Sequence, residues 1–127
     1  EGIKVVSIPG PSALISSLVS SGLPTDKFIF LGFLPKKEGN RIKLLINLKE
    51  SNEKLEASVI VYEAPHRLVK SLTSIHSVLG NIQITLMREL TKIHEERISD
   101  SAENLIEKYQ RQNPKGEFVI LFSPKKI

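Results

Sequence analysis

The sequence predicts an α/β fold, a layered α/β/α domain built around a mixed, largely parallel sheet. Short apolar runs rich in β-branched residues alternate with stretches whose apolar residues recur at helical spacing. Glycine, proline and asparagine separate these stretches from one another. The resulting order is strand then helix, four times, followed by a last strand. That order is typical of a sheet with helices on both faces.

The strands are predicted from the apolar runs. Ser58 to Tyr62 is almost continuously apolar, which favours a strand covered on both faces. From Ile82 to Met87 the aliphatic residues Ile82, Ile84 and Leu86 alternate with Gln83, Thr85 and Met87, which is a strand pattern. The other predicted strands are Lys4–Ile8, Phe28–Phe33 and Glu117–Phe122.

Four helices are predicted between the strands, because apolar residues recur there at intervals of three and four. We expect the second helix from about Arg41 to Lys49, and a capping box of Asp100 and Glu103 at the start of the fourth. The inward stripes are Leu14, Ile15, Leu18 and Val19; Ile42, Leu45 and Ile46; Leu68, Leu72, Ile75 and Leu79; and Leu105, Ile106 and Tyr109.

Composition limits the class of protein. The 127 residues suit one domain, and the absence of cysteine excludes disulfides and thiolate metal sites. No apolar run approaches the roughly 20 residues that span a bilayer. The formal charge of +4 fits contact with phosphates or RNA, although proteins without an anionic partner often share it. The chain opens on a strand pattern and not on a signal peptide, which favours a fragment of a longer protein.

Polar residues follow three predicted strands: Pro9 to Ser12, Tyr62 to Arg67, and Arg88 to Lys92. Ligands of α/β sheets collect beyond the carboxyl ends of strands, so we expect some of these segments to converge. Each segment also has a simpler interpretation. The first is a tight turn shaped by prolines, the second is capping chemistry around Glu63, and the third is a solvated loop.

The residues themselves leave the chemistry open. Glu63, His66 and Arg67 suit either proton transfer or helix capping, and two ligands are too few for a metal site. The basic residues Lys36, Lys37, Arg41 and Lys43 suit either phosphate contact or simple solvation. Aromatic residues are sparse and do not interleave with basic ones, so the sequence predicts no platform on which single-stranded bases stack.

Six segments, taken in order, resemble the ribosomal RNA small subunit methyltransferase I family of the tetrapyrrole methylase superfamily. The resemblance covers essentially the whole chain. The segments are Val6–Ala13, Ser21–Asp26, Gly32–Pro35, Tyr62–Leu68, Arg88–Lys92 and Lys115–Val119.

The resemblance implies the C-terminal domain of a two-domain enzyme, with residues 1–24 as the inter-domain strand and helix and residues 25–127 as the domain core. The family's N-terminal domain, with its glycine-rich loop and Asp-Ala-Gly-Thr-Pro segment, is absent, so we expect the chain to be inactive alone. The implied reaction is S-adenosylmethionine-dependent methylation of a cytidine ribose 2′-hydroxyl in 16S rRNA. The implied setting is a cytoplasmic homodimer that acts on the small ribosomal subunit, without a metal and without a membrane.

The resemblance also implies roles for residues. The attacking 2′-hydroxyl of the implied reaction must lose its proton, and by residue type Glu89, Glu63 and His66 are the candidate acceptors, of which Glu89 is favoured. Arg67, Lys92, Lys36, Lys37 and Arg41 are the candidates for RNA contact. The residues expected to border the methyl donor are Pro11, Ser12, Ala13, Tyr62, Glu63, Ala64, Leu90, Thr91, Glu117 and Phe118.

Two alternatives stay open at this stage. A relative acting on a corrinoid or porphyrin precursor would share the fold. A non-catalytic module that binds RNA or a partner protein would share the basic residues, and its RNA binding would fall steeply with salt.

Overall fold

A computed structural model describes residues 13–88 and 96–124, with side chains from Ser17 onward. Within these ranges five strands form one sheet, and helices lie on both of its faces. The helices are α1 (Ala13–Ser21), α2 (Glu38–Ser51), α3 (Leu68–Leu79) and α4 (Ala102–Arg111), and a short 3-10 turn (Pro65–Arg67) precedes α3. The strands are β1 (Phe28–Phe33), β2 (Ser58–Glu63), β3 (Gln83–Arg88), β4 (Glu96–Ser101) and β5 (Phe118–Phe122).

The sheet is mixed, with the strand order β1-β2-β5-β3-β4. Among the neighbouring pairs of described strands, β1–β2 is parallel, whereas β2–β5, β5–β3 and β3–β4 are antiparallel. The predicted α/β class and mixed sheet are confirmed, but the sheet is less parallel than expected. The difference arises because β4 returns beside β3 as a hairpin partner, which reverses the chain before α4 and β5.

The sheet separates two layers of different coverage. On the covered face, α2, α3 and α4 bury alternate strand residues in the larger core cluster. On the other face, called here the open face, Leu18 of α1 packs over a smaller cluster centred on Ile60, Met87 and Leu121. Burial of β2 on both faces is therefore confirmed, since Val59, Ile60 and Val61 are all at most 1% exposed.

Two helix starts differ from their predictions. α2 begins at Glu38, which turns Arg41, Leu45 and Leu48 inward and leaves Ile46 43% exposed. α4 is capped by Ser101, whose Oγ accepts the Asn104 N–H at 3.2 Å, so the predicted Asp100–Glu103 capping box is wrong by one residue. The strand predicted at Lys4–Ile8 lies outside the described residues.

The helices in residues 13–88 and 96–124 are all too short or too polar to cross a membrane.

Candidate functional site

The ends of the described strands place the candidate residues at β2 and β5 along one edge of the sheet, called here the site edge. β1, β2 and β3 run in the same direction and end there, whereas β4 and β5 begin there. The paired residues along this edge are Phe33 with Tyr62, Glu63 with Phe118, Arg88 with Phe118, and Arg88 with Glu96. The polar segments that follow β2 and β3 thus start at neighbouring points, as expected from the strand-end rule.

A small cleft of about 70 Å³ opens at the site edge between β1, β2 and β5. Four residues expected at the methyl donor line it: Tyr62, Glu63, Glu117 and Phe118. A water molecule occupies about 30 Å³ of liquid, and pockets for drug-sized ligands span about 300–1,000 Å³. The cleft therefore matches one wall of a ligand site and is too small to enclose a cofactor by itself.

Glu63 is 2% exposed, and the protein itself engages both of its carboxylate oxygens. Oε1 accepts the Ala64 N–H at 3.0 Å, and the Ser71 hydroxyl donates to Oε2. The Arg67 Nε lies 3.3 Å from Oε1 as an ion pair whose N–H is not aligned for a hydrogen bond. A carboxylate at a helix N-terminus is stabilising. This geometry favours Glu63 as the residue that fixes the turn into α3 over Glu63 as a proton acceptor.

His66 and Arg67 project from the turn that Glu63 fixes. His66 is exposed and, among the described residues, has no ion pair or hydrogen-bond partner through its ring. The Arg67 guanidinium carbon lies 6.0 Å from the centre of the Phe33 ring, at the outer limit for a cation–π contact. Of the described candidates for proton transfer, His66 is therefore the accessible one.

Arg41 is buried, and this changes the role expected for it. Its Nε donates to Ser74 Oγ at 2.7 Å, and its Nη1 donates to the carbonyl oxygens of Pro35 and Lys36 at 3.3 and 3.0 Å. These bonds fix the loop between β1 and α2, and Arg41 as a whole is 5% exposed, so direct RNA contact by Arg41 does not fit the structure. Lys36 and Lys37 on the same loop are exposed, as RNA contact requires.

Sequence reasoning missed an ion pair at the site edge. Arg88, the last residue of β3, pairs with Glu96, the first residue of β4. The Arg88 guanidinium carbon also lies 5.9 Å from the centre of the Phe118 ring. Burial raises the pKa of Tyr109 beneath this pair, and Glu96 raises it further while Arg88 opposes the shift. No sequence signal pointed to the pair, because β4 itself was not predicted.

Several expected site residues are not described by the structure. Pro11 and Ser12 precede the first described residue, and Ala13 is the first residue of α1. Glu89, Leu90, Thr91 and Lys92 lie in the undescribed segment between β3 and β4. Across residues 13–88 and 96–124 no three histidine or acidic side chains group as metal ligands would.

Comparison with curated proteins finds several relatives that share one name. The chain is 43% identical over 122 residues to "Ribosomal RNA small subunit methyltransferase I" of Synechocystis sp., which is 95% of this chain and 42% of that protein. It is 38% identical over 125 residues to the protein of that name from Thermotoga maritima, which is 98% of this chain and 54% of that protein. The chain thus spans about half the length, or less, of the curated relatives it matches. No protein-family model matches the chain.

Comparison with solved structures confirms the fold. The methyltransferase CobJ aligns with a TM-score of 0.61 at 11% identity, over 93% of this chain and 51% of that one. Cobalt precorrin-4 methyltransferase, CbiF, aligns with a TM-score of 0.57 at 12% identity, over 85% of this chain and 46% of that one. At such identities the likeness concerns the fold alone. The sequence comparison is the more specific of the two, because over nearly its whole length the chain is similar to proteins named ribosomal RNA small subunit methyltransferase I.

Proposed function

We propose that this chain is the C-terminal domain of an enzyme that transfers a methyl group from S-adenosylmethionine to the ribose 2′-hydroxyl of a cytidine in 16S rRNA. The observation that carries the proposal is the meeting of Tyr62, Glu63, Glu117 and Phe118 in one cleft at the site edge. These residues come from the end of β2 and from the start of β5 with the residue before it, which lie far apart in the sequence. Relatives named for methylation of small-subunit rRNA support the substrate class.

The cleft fits the adenosyl part of the donor as one wall. Phe33 and Tyr62 present aromatic surface, the buried Phe118 closes the cleft, and Glu117 adds an exposed carboxylate. A ligand site commonly combines such apolar lining with a few polar groups that fix orientation. The opposite wall belongs, in this proposal, to an N-terminal domain outside residues 1–127, with residues 1–24 leading from one domain to the other. The chain alone is then inactive.

When bound, the donor supplies an electrophilic methyl group on a sulfonium. The residues of this chain contribute orientation, because a well-aligned attack lowers the barrier by about 7–11 kcal/mol in favourable cases. Glu63 holds the turn that presents His66 and Arg67. His66, being exposed, is the described group able to accept the 2′-hydroxyl proton, and Glu89 is the other candidate. Arg67, Lys36, Lys37 and Lys92 bind the phosphates of the RNA.

The test uses the full-length gene product. In a strain that lacks the gene, mass-spectrometric mapping of 16S rRNA should show loss of one 2′-O-methylcytidine, and the intact gene should restore it. The Arg67→Ala variant should restore less methylation at unchanged protein level. Intact methylation in the deletion strain would overturn the proposal. Methylation of a corrinoid or porphyrin precursor by the purified enzyme would replace it with the tetrapyrrole alternative.

The proposal also covers the cellular location, the oligomeric state and the form of the substrate. The enzyme is a cytoplasmic homodimer that acts on the small ribosomal subunit. Light scattering of the full-length protein measures whether it is a dimer. Methylation of isolated 30S subunits measures whether it acts on the small ribosomal subunit. The tested chain should gain activity only together with the remaining half of the protein.

A further inference from the structure

The open face carries an exposed aromatic row beside the candidate site. Three phenylalanines of β1, Phe28, Phe30 and Phe33, are 42%, 42% and 52% exposed. The Tyr62 ring of β2 lies next to them, with ring centres 4.9 Å from Phe30 and 6.0 Å from Phe33. This aromatic row holds four of the seven aromatic residues of the chain, so its exposure is not a chance scatter of apolar side chains.

A bulge at Gly32 brings Phe33 into the row. Strict alternation would place residue 33 with Ile29 and Leu31, which pack against the covered-face core. Instead the register shifts between Phe30 and Gly32, so that Phe33 pairs with Tyr62. Gly32 has a φ of +66°, a conformation that glycine adopts without the strain of a side chain. The bulge therefore places the Phe33 ring on the open face, where it stays exposed.

Positive charge flanks the aromatic row at the site edge. The Arg67 guanidinium lies over Phe33, and the exposed Lys36 and Lys37 follow β1 directly. At the other end Lys27 is paired with Asp26, and Glu117 is the exposed acid near Phe33. A row of rings with cations at one end complements a chain of flat bases joined by phosphates. Binding of an aliphatic partner would not require aromatic rings, because leucine side chains would bind it equally well.

We propose that the aromatic row is a stacking surface for unpaired bases of the RNA substrate. Same-face residues of a strand are about 6.8 Å apart, so Phe28 and Phe30 present separate rings to successive bases. Sheet-borne aromatic residues bind single-stranded RNA in this way in other folds. The sequence predicted no such platform, because only the folded sheet brings Tyr62 and Arg67 beside the phenylalanines of β1. This inference rests on the proposed function, since it assigns a contact to the same substrate.

The first experiment exploits the absence of tryptophan from these 127 residues. In the full-length protein, with any tryptophan outside this chain replaced by phenylalanine, Phe30→Trp introduces a single fluorescent ring. A short single-stranded RNA should quench its emission, whereas an abasic oligomer of the same length and charge should bind without quenching. Equal quenching by both, or none by either at saturation, overturns the proposal.

The second experiment separates stacking from other uses of the aromatic row. Phe28→Leu and Phe30→Leu keep apolar surface but remove the rings, and neither residue lines the cleft. We expect each to weaken binding of single-stranded RNA about fivefold or more, the lower end for loss of one stacked base, and to raise KM for 30S subunits with donor affinity unchanged. Ile46→Ala, at an exposed apolar site on α2, is the matched control and should leave both unchanged.

Other outcomes identify other occupants. If Phe30→Leu lowers the dimer affinity in light scattering and leaves RNA binding intact, the aromatic row binds a second copy and the inference is wrong. If it lowers the melting temperature of the full-length protein, another part of that protein covers the aromatic row, and the inference is again wrong. An enzyme that methylates no rRNA refutes the proposed function, whereas an active enzyme indifferent to Phe28→Leu and Phe30→Leu refutes this inference alone.

Discussion

The two faces of the sheet carry similar apolar residues but differ in how far these residues are buried. On the covered face, three helices leave strand residues such as Val61 and Ile120 at 0% exposure. On the open face, α1 covers the middle strands, whereas Phe28, Phe30 and Phe33 of β1 stay exposed. Burial of apolar surface supplies most of the stability of a fold. The difference indicates that the covered face stabilises the domain, whereas the rings of β1 add apolar surface that the described residues leave exposed.

The largest expected effect is a loss of folding stability on the covered face. Leu72 on α3 is fully buried in the larger cluster, so Leu72→Ala should lower the free energy of unfolding by about 2–5 kcal/mol. Phe30→Leu on the open face should change it by less than about 0.5 kcal/mol. Urea denaturation followed by circular dichroism measures both. Equal losses would mean that the two faces do not differ in the way described.

The second prediction concerns the loop between β1 and α2, which Arg41 fixes. Arg41→Ala removes three hydrogen bonds and leaves the Pro35 and Lys36 carbonyls without their donor, so stability should fall by about 2–4 kcal/mol. Lys37→Ala, its exposed neighbour, should leave stability unchanged while weakening RNA binding and reducing its salt dependence. An Arg41→Ala protein of normal stability that fails only in RNA binding would restore the role first expected for this residue.

The sequence was most informative where burial is two-sided or strictly periodic. β2 is apolar from Val59 to Val61 and β5 is apolar throughout, and both strands lie within one residue of their predicted bounds. β4 was missed because Ile98 is the single apolar residue in a strand at the edge of the sheet. The burial of Arg41 was missed for a related reason. The start of α2 at Glu38, and not the charge of Arg41, decides that it points inward with Leu45 and Leu48.

The candidate site shows the same limit. Glu63 and Phe118 were chosen from the resemblance, and only the antiparallel register of β2 and β5 places them opposite each other. Ser71 became a partner of Glu63 because the first turns of α3 bring it back to the end of β2. The reach of Arg67 over Phe33 depends on the bulge at Gly32, which shifts one strand by one residue. Such contacts join distant segments, and local sequence patterns do not encode them.

The third prediction separates positioning from catalysis at Glu63. Glu63→Gln retains one acceptor oxygen but loses the charge opposite Arg67, so stability should fall by about 1–3 kcal/mol. If Glu63 only fixes the turn, the pH profile of methylation by the full-length enzyme should keep its shape. Glu117→Gln, an exposed change at the same cleft, is the control for stability. A lost limb of the pH profile at normal stability would make Glu63 the proton acceptor.

The smallest expected effect lies at the exposed rim of the covered face, where Asp100 precedes α4. Hydrogen bonds from the Asn104 side chain and the Ser101 N–H lower the pKa of Asp100 below its ordinary value of 3.8. A carboxyl whose pKa is lower in the folded state stabilises the protein above the unfolded value and loses that contribution as the pH falls through the folded value. Asp100→Asn should therefore flatten the fall in stability below pH 3.8 and change little at neutral pH. Unfolding midpoints in urea across this range measure the effect, and parallel curves for the two proteins would show that the helix start gains nothing from the charge.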